Sequence, residues 1–202
     1  MQIGILGTGN VGQTLGRRGA EAGHQITFGS RDPASKGSLE APVARLAKVV
    51  ADNEVVINAT PGAASLALVT EIGAAVFAGR VLVDVANAGM PGFELVYPNS
   101  SLAEQLQAAL PETKVVKTMN TAAMTVMTNP TVLPVSSVFV SGDDPDAKST
   151  VKSLLKDFGW ADESIVDLGG IRSARGPEHY FLMFAALMQS LQTPEFNIYL
   201  VR

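Results

Sequence analysis

The chain has no cysteine among its 202 residues. Disulfide staples, thiolate metal sites and cysteine nucleophiles are therefore excluded. Histidine is scarce as well: with only His24 and His179 present, a histidine-rich metal centre cannot be assembled. No apolar run approaches the roughly 20 residues that span a bilayer. A formal net charge of −4 argues against a broad nucleic-acid surface. Met1-Gln2-Ile3 passes into an apolar segment with no basic lead-in and no cleavage site. No signal peptide is expected, and the expectation is a soluble cytoplasmic protein without nucleic-acid or membrane partners.

What the chain has is alternation. Hydrophobic residues make up 47% of it, enough for a substantial core in one large domain or a domain with a modest appendage. Short runs rich in Val and Ile, such as Gln2–Leu6, His24–Phe28, Val55–Ala59, Val81–Val85 and Val115–Met119, read as strands. Between and after them, Val11–Ala22, Pro42–Ala51, Leu66–Val76, Leu102–Leu110, Asp146–Phe158 and Pro177–Gln192 read as helices. Ser101 is placed to cap one of these, and Gly23 to end the first. The face carrying Lys148, Lys152 and Lys156 reads as solvated. The pattern predicts a doubly wound α/β fold around a mostly parallel sheet covered on both sides. The loop Thr125–Ser136, with Asn129-Pro130 and Pro134, is the best boundary. A further parallel strand is expected after it at Ser137–Ser141, and another at Ile165–Leu168. The tail Phe196–Val201 is expected to add an edge strand or to pack on a partner.

The first strand runs into Gly7-Thr8-Gly9-Asn10-Val11-Gly12, which has the G-x-G-x-x-G spacing of a dinucleotide site. Gly7 makes the tight turn, Gly9 lets the backbone approach a pyrophosphate, and Gly12 lets the helix sit close to the sheet. The helix N-terminus supplies free N–H groups for the phosphates.

The tip of the second strand selects the cofactor. It reads Gly29-Ser30-Arg31, where NAD-binding proteins place an acid on the ribose 2′-hydroxyl. A guanidinium there attracts a 2′-phosphate, and Ser30 adds a hydroxyl donor. Lys36 adds positive charge nearby. Asp32 is expected to turn away and cap the short element begun by Pro33. NADP is thus the expected cofactor. Residues 1–125 read as its Rossmann core and 126–202 as a C-terminal extension of the same sheet ending in a helix.

Ligands of such sheets lie beyond the carboxyl ends of the strands. Those ends carry Thr60-Pro61-Gly62, then Asn87, then Asn120-Thr121. Thr60 and Pro61 are expected over the inner phosphate and nicotinamide ribose. Asn87 and Asn120 either bond the nicotinamide or a second ring, or only shape turns. Met119, Met124 and Met127 offer an adaptable wall for a flat ring, or ordinary core filling. No strand end carries an acid–base residue: Asp84 lies inside a strand, and Tyr97 and Lys117 do not form a Tyr-x-x-x-Lys pair. No Ser–His–Asp order is readable. A carbonyl reductase needs a proton donor at the developing alkoxide. Hydride transfer between two rings needs orientation and a dry interface instead.

Together these landmarks resemble the NADPH-dependent reductases of the deazaflavin coenzyme F420. The resemblance rests on the glycine motif, Gly23-His24, Gly29-Ser30-Arg31, Asn58-Ala59-Thr60-Pro61 and Asp84-Val85-Ala86-Asn87. It continues through Lys117-Thr118-Met119-Asn120-Thr121, Gly142-Asp143-Asp144 and Asp167-Leu168-Gly169, so it spans about residues 3–175. The cytoplasmic domain of eukaryotic six-helix membrane metalloreductases is similar. The resemblance implies a homodimer that passes hydride between NADPH and a deazaflavin or flavin as the small-molecule ring acceptor. It implies that Thr8, Asn10 and Val11 hold the pyrophosphate, that Ser30 and Arg31 hold the 2′-phosphate, and that the second ring lies against Asn87, Asn120 and Met119–Met124. The chain departs from the family at Asp32–Lys36 and at Arg175–Glu178. Two other readings are reduction of a small carbonyl or imine and a non-catalytic NADP-binding sensor.

Overall fold

In the computed structural model, which describes residues 1–36 and 39–201, apolar strands alternate with helices in one open sheet. Strand β1 (Gln2–Leu6) leads to α1 (Asn10–Glu21), β2 (Gln25–Ser30) and a single 3-10 turn at Pro33–Lys36. Then come β3 (Val43–Arg45), α2 (Leu46–Asp52), β4 (Val55–Asn58), α3 (Gly62–Ile72), α4 (Ala74–Phe77) and β5 (Val81–Asp84). A small hairpin, β6 (Gly89–Met90) with β7 (Glu94–Leu95), precedes α5 (Leu102–Ala109) and β8 (Lys114–Thr118). The chain continues through α6 (Met124–Thr128), β9 (Val138–Ser141), α7 (Pro145–Asp157), β10 (Ile165–Asp167) and α8 (Arg175–Leu191).

The strand order is β10-β9-β8-β5-β4-β1-β2-β3, with β6-β7 apart. Strands β1 to β5 and β8 are mutually parallel, a doubly wound Rossmann-like arrangement. The period-two pleat divides their side chains between two cores. Ile3, Ile5, Val55, Ile57, Val83 and Val116 face α1, α6 and α7, where they meet Leu15, Val126, Leu154 and Phe158. Leu6, Val56, Leu82 and Val115 face the other way, against Val50, Val69, Phe77 and Leu106. Covering both faces leaves the ends of the strands as the place where polar side chains can meet.

Several elements differ from expectation. Strand β9 pairs with β8 antiparallel, not parallel. A parallel return needs a crossover of a dozen or more residues, usually a helix. The link from β8 to β9 instead holds only the five-residue α6 and a proline-marked 3-10 turn. Residues 43–45 form an edge strand rather than the start of a helix. The third helix begins at Gly62 and is broken at Gly73, whose φ of 96° starts α4. The tail is not a strand, but Ile198 accepts from the Ser137 N–H at 2.8 Å and Asn197 donates to the Ser137 carbonyl at 2.9 Å. Among the described residues no helix is long and apolar enough to cross a membrane.

The lysine face of α7 is paired rather than simply solvated. Lys148 and Lys152 reach Asp167 at 3.0 and 2.9 Å, and Lys156 reaches Asp162. Partial burial alone would raise the Asp167 carboxyl. The Gly169 N–H and the two lysines outweigh that and hold it at about 2, against an ordinary 3.8. Because the folded-state value is the lower one, this contribution is complete above 3.8 and fades as pH falls towards about 2. Urea titrations across that window should show Asp167→Asn losing less stability on acidification than the parent, by on the order of 1 kcal/mol after solvent screening.

Candidate active site

The glycine turn explains two of its three glycines from within the protein. Gly7 has φ 114°, and a Cβ there would lie 2.6 Å from the Ala59 carbonyl oxygen. A Cβ on Gly12 would lie 2.2 Å from the Gly7 carbonyl oxygen. Gly9 is different. Its φ of −80° suits any residue, and a Cβ would meet nothing within 4 Å. Nothing among the described residues requires Gly9 to lack a side chain. It stands before α1, whose N-terminus has no side-chain cap. By contrast, α5 is capped by Ser101 and α7 by Asp144. The first N–H groups of α1 remain available to an anion. Asn10 is the exposed first residue of that helix.

Two clefts run from this turn. The first, about 550 Å³, is lined by Gly7, Thr8, Ser30, Arg31, Thr60 and Pro61 among others. Ser30 is nearly buried, and its Oγ accepts from the Asp32 N–H at 3.1 Å, which leaves the hydroxyl proton free to donate. Arg31 is exposed, and no ion pair among the described residues involves it. Asp32 stays on the cleft wall rather than turning away, and Glu71 joins it there. Arg45 is the register partner of Ser30 and donates from Nη1 to the Arg31 carbonyl at 3.3 Å. Sequence reasoning missed it by assigning residue 45 to a helix, and a second basic residue at a strand end was the available signal. The side chain of Lys36 lies outside the described residues.

The second cleft, about 240 Å³, is lined by Val11, Thr60, Pro61, Ala86, Asn87 and Met127 among others. Thr60 and Pro61 line both clefts. The second contains no ionisable side chain. Its two walls touch backbone to backbone, since a Cβ on Gly62 would lie 2.2 Å from the Asn87 carbonyl oxygen. Asn87 and Asn120 are brought together, but not as equals. Asn87 is half-buried and donates to the Asn120 carbonyl at 2.7 Å. Asn120 is buried, and its amide donates to Asn87 Oδ1 at 2.9 Å and to the Pro177 carbonyl at 3.0 Å. Asn87 lines the cleft and Asn120 braces it from behind. The three methionines separate: Met119 is core, Met127 lines the cleft, and Met124 is exposed beside Thr14.

Behind this cleft lies a row that sequence reasoning passed over. Asn58, Asp84 and Lys117 are register partners on three adjacent strands. Lys117 Nζ lies 2.8 Å from Asp84 Oδ2 and 3.1 Å from Glu178 Oε1. All four residues are buried. Burial, reinforced by the Glu178 charge, pushes the Tyr97 phenol up. The sequence signal was an acid and a lysine on one face of two otherwise apolar strands. Among the described residues no cluster of acids and histidines is arranged to hold a metal.

Residues 2–88 match the family described as NADP oxidoreductase, coenzyme F420-dependent. A provisionally named F420-dependent NADP reductase from Arthrobacter sp. FB24 is 41% identical, covers 99% of both chains and superposes with a TM-score of 0.91. The chain belongs to that family. Its members are NADP-dependent oxidoreductases, so NADP(H) is the cofactor to which the two clefts must be compared. The metalloreductase STEAP3 of Rattus norvegicus is 28% identical over 182 residues, covering 88% of this chain and 36% of that protein. The chain thus spans about a third of that relative's length. An imine reductase from Streptomyces aurantiacus, 17% identical over 95% of this chain and 64% of its own, has a TM-score of 0.69 and shares the fold.

The glycines separate folding from binding. Gly9→Val should keep the circular dichroism spectrum and melting temperature of the parent while NADPH affinity falls below detection. Gly12→Val should fail to fold, because a Cβ already collides with the Gly7 carbonyl. Calorimetric titration of a folded Gly9→Val that still binds NADPH normally would show that the turn does not carry the pyrophosphate.

Proposed function

We propose that the chain transfers hydride between NADP(H) and a flat ring acceptor, a deazaflavin coenzyme or a flavin. The lining of the second cleft carries this reading. It presents backbone, apolar groups, one thioether, the Asn87 amide and the Thr60 hydroxyl, and no ionisable side chain to donate a proton to an alkoxide or amine; the Thr60 hydroxyl is itself engaged by Asn58 and Ser65. The nearest cation and acids are tied to one another behind the wall. A carbonyl or imine would need such a donor within hydrogen-bond reach. A second ring needs orientation and exclusion of water.

On this reading Gly9, Thr8, Asn10, Val11 and the N–H groups of α1 hold the pyrophosphate, while Ser30 and Arg31 hold the 2′-phosphate. Thr60, Pro61 and Asn87 flank the nicotinamide end, and Asn120 keeps Asn87 in place. When bound, NADPH supplies the hydride. The Thr60 hydroxyl donates to Asn58 Oδ1 at 2.6 Å and lies 2.8 Å from the Ser65 hydroxyl, which together fix its orientation at the cleft wall. Residues 1–125 supply this site apart from Met127, and residues 126–202 support it as an extension. A second copy is proposed to cover α8, which buries only Pro177 and Glu178 yet carries exposed Met183, Met188 and Leu191. Sedimentation should give a dimer for the parent and a monomer for Met183→Glu/Leu191→Glu; a monomeric parent would refute this part.

Oxidation of NADPH in the presence of F420, FMN, FAD or a ferric chelate, each against a cyclic imine and a small ketone, tests the acceptor class. Turnover confined to the imine or ketone would replace the proposal with the carbonyl or imine reading. Tight NADPH binding without turnover on any acceptor would leave a sensor. Arg31→Ala should weaken NADPH by about 1.5–3 kcal/mol, the value of a lost charged hydrogen bond, and NADH hardly at all. An equal loss for both nucleotides would contradict the assignment of Arg31.

A further inference from the structure

Lys117, 1% exposed, is an expensive residue to bury, and stability does not account for it. An ion pair taken out of water is often no better than apolar side chains filling the same volume. Its surroundings show what it holds. Lys117 Nζ donates to the Ala86 carbonyl as well as to Asp84. Asp84 Oδ1 accepts from the Ala86 N–H at 3.2 Å and from the Asn58 amide at 2.8 Å. Ala86 is a wall residue of the second cleft, so both of its backbone polar groups are held by this pair of side chains. Glu178 fixes the far end of the row. Its carboxylate accepts from the N–H groups of Leu102 and Ala103 at 2.6 and 3.0 Å, at the start of α5.

A strand could have ended here on ordinary ladder bonds. Instead the chain leaves β5 after Asp84, and Ala86 is bonded by the charged groups of Asp84 and Lys117, whose other partners are the buried Asn58 and Glu178. The next residue, Asn87, is braced separately through Asn120 to Pro177, the neighbour of Glu178 on α8. Two tethers therefore tie the wall of the second cleft to the first turn of α8.

We infer that Lys117 is a positioning residue: with Asp84 it fixes the Ala86–Asn87 wall at the depth that seats the nicotinamide ring, without touching the cofactor. This rests on the proposal that the second cleft takes the nicotinamide end and the first cleft the adenosine 2′-phosphate end.

Adenosine 2′,5′-bisphosphate carries the second of those two ends and not the first, so it separates positioning from folding. Lys117→Met leaves two buried carboxylates without their cation and risks unfolding. The neutral double variant Asp84→Asn/Lys117→Met removes the cation and one of the acids, and leaves Glu178 with its two N–H donors from α5. Calorimetric titration of the parent and the double variant is expected to give equal bisphosphate affinity, with NADPH weakened about tenfold or more in the variant. Unchanged affinity for both ligands would overturn the inference. A matched loss of both would overturn it too, by showing a structural role only. A parent chain that binds neither ligand would overturn the functional proposal itself, and the inference with it.

Discussion

The contact of Gly12 with the carbonyl of Gly7 sets the position of everything else in the site. A Cβ at Gly12 would need to occupy space 2.2 Å from that oxygen, so α1 lies as close to the end of β1 as a helix can. The same constraint recurs where Gly7 meets Ala59 and where Gly62 meets Asn87. Three successive turns at the ends of β1, β4 and β5 thus approach one another backbone to backbone. Side chains are excluded from these crossings. What remains is a floor of peptide groups, with a helix N-terminus opening onto it and Gly9 left bare on the open side.

Around that floor the charges are sorted by depth. The cation lining the outer cleft, Arg31, is exposed and stands against two acids, Asp32 and Glu71, on the same wall, while the exposed Arg45 reaches the Arg31 carbonyl from the next strand. On the proposed reading, selectivity for a 2′-phosphate there depends on geometry as well as charge count: a guanidinium can bond the phosphate in a bidentate fashion, whereas an acid at the rim acts through a longer, screened distance. At the inner cleft the ionisable groups are present but withdrawn behind the wall, each satisfied by its neighbours. The lining of the second cleft is neutral as a consequence of that withdrawal, not because charged residues are scarce nearby.

The parallel core was legible because its strands are continuous apolar runs and its turns are marked by glycine. Val55–Asn58 and Val81–Asp84 could hardly be anything else. The geometry of the glycine turn was legible for the same reason, since the spacing of Gly7 and Gly12 is a statement about backbone approach. The direction of β9 was misread because a strand's pattern does not record which way it runs. Only the connection does, and residues 119–137 are too poor in helix to carry a crossover. The short edge strand at Val43–Arg45 was misread because three residues cannot display a period.

The row from Asn58 to Glu178 was hidden for a different reason. Each member looks unremarkable alone: a polar strand end, an acid in a strand, a lysine in a strand, an acid in the first turn of a helix. Only the register that sets Asn58 beside Asp84 and Asp84 beside Lys117 turns them into one object, and register between distant strands is not written in any one segment. Glu178 enters from 61 residues beyond Lys117 by sequence number and closes the row by capping α5. Such a cluster is costly wherever it is made. Its place here, holding the backbone of the one wall that carries no charge of its own, is what ties the helical C-terminal layer to the cleft in front of it.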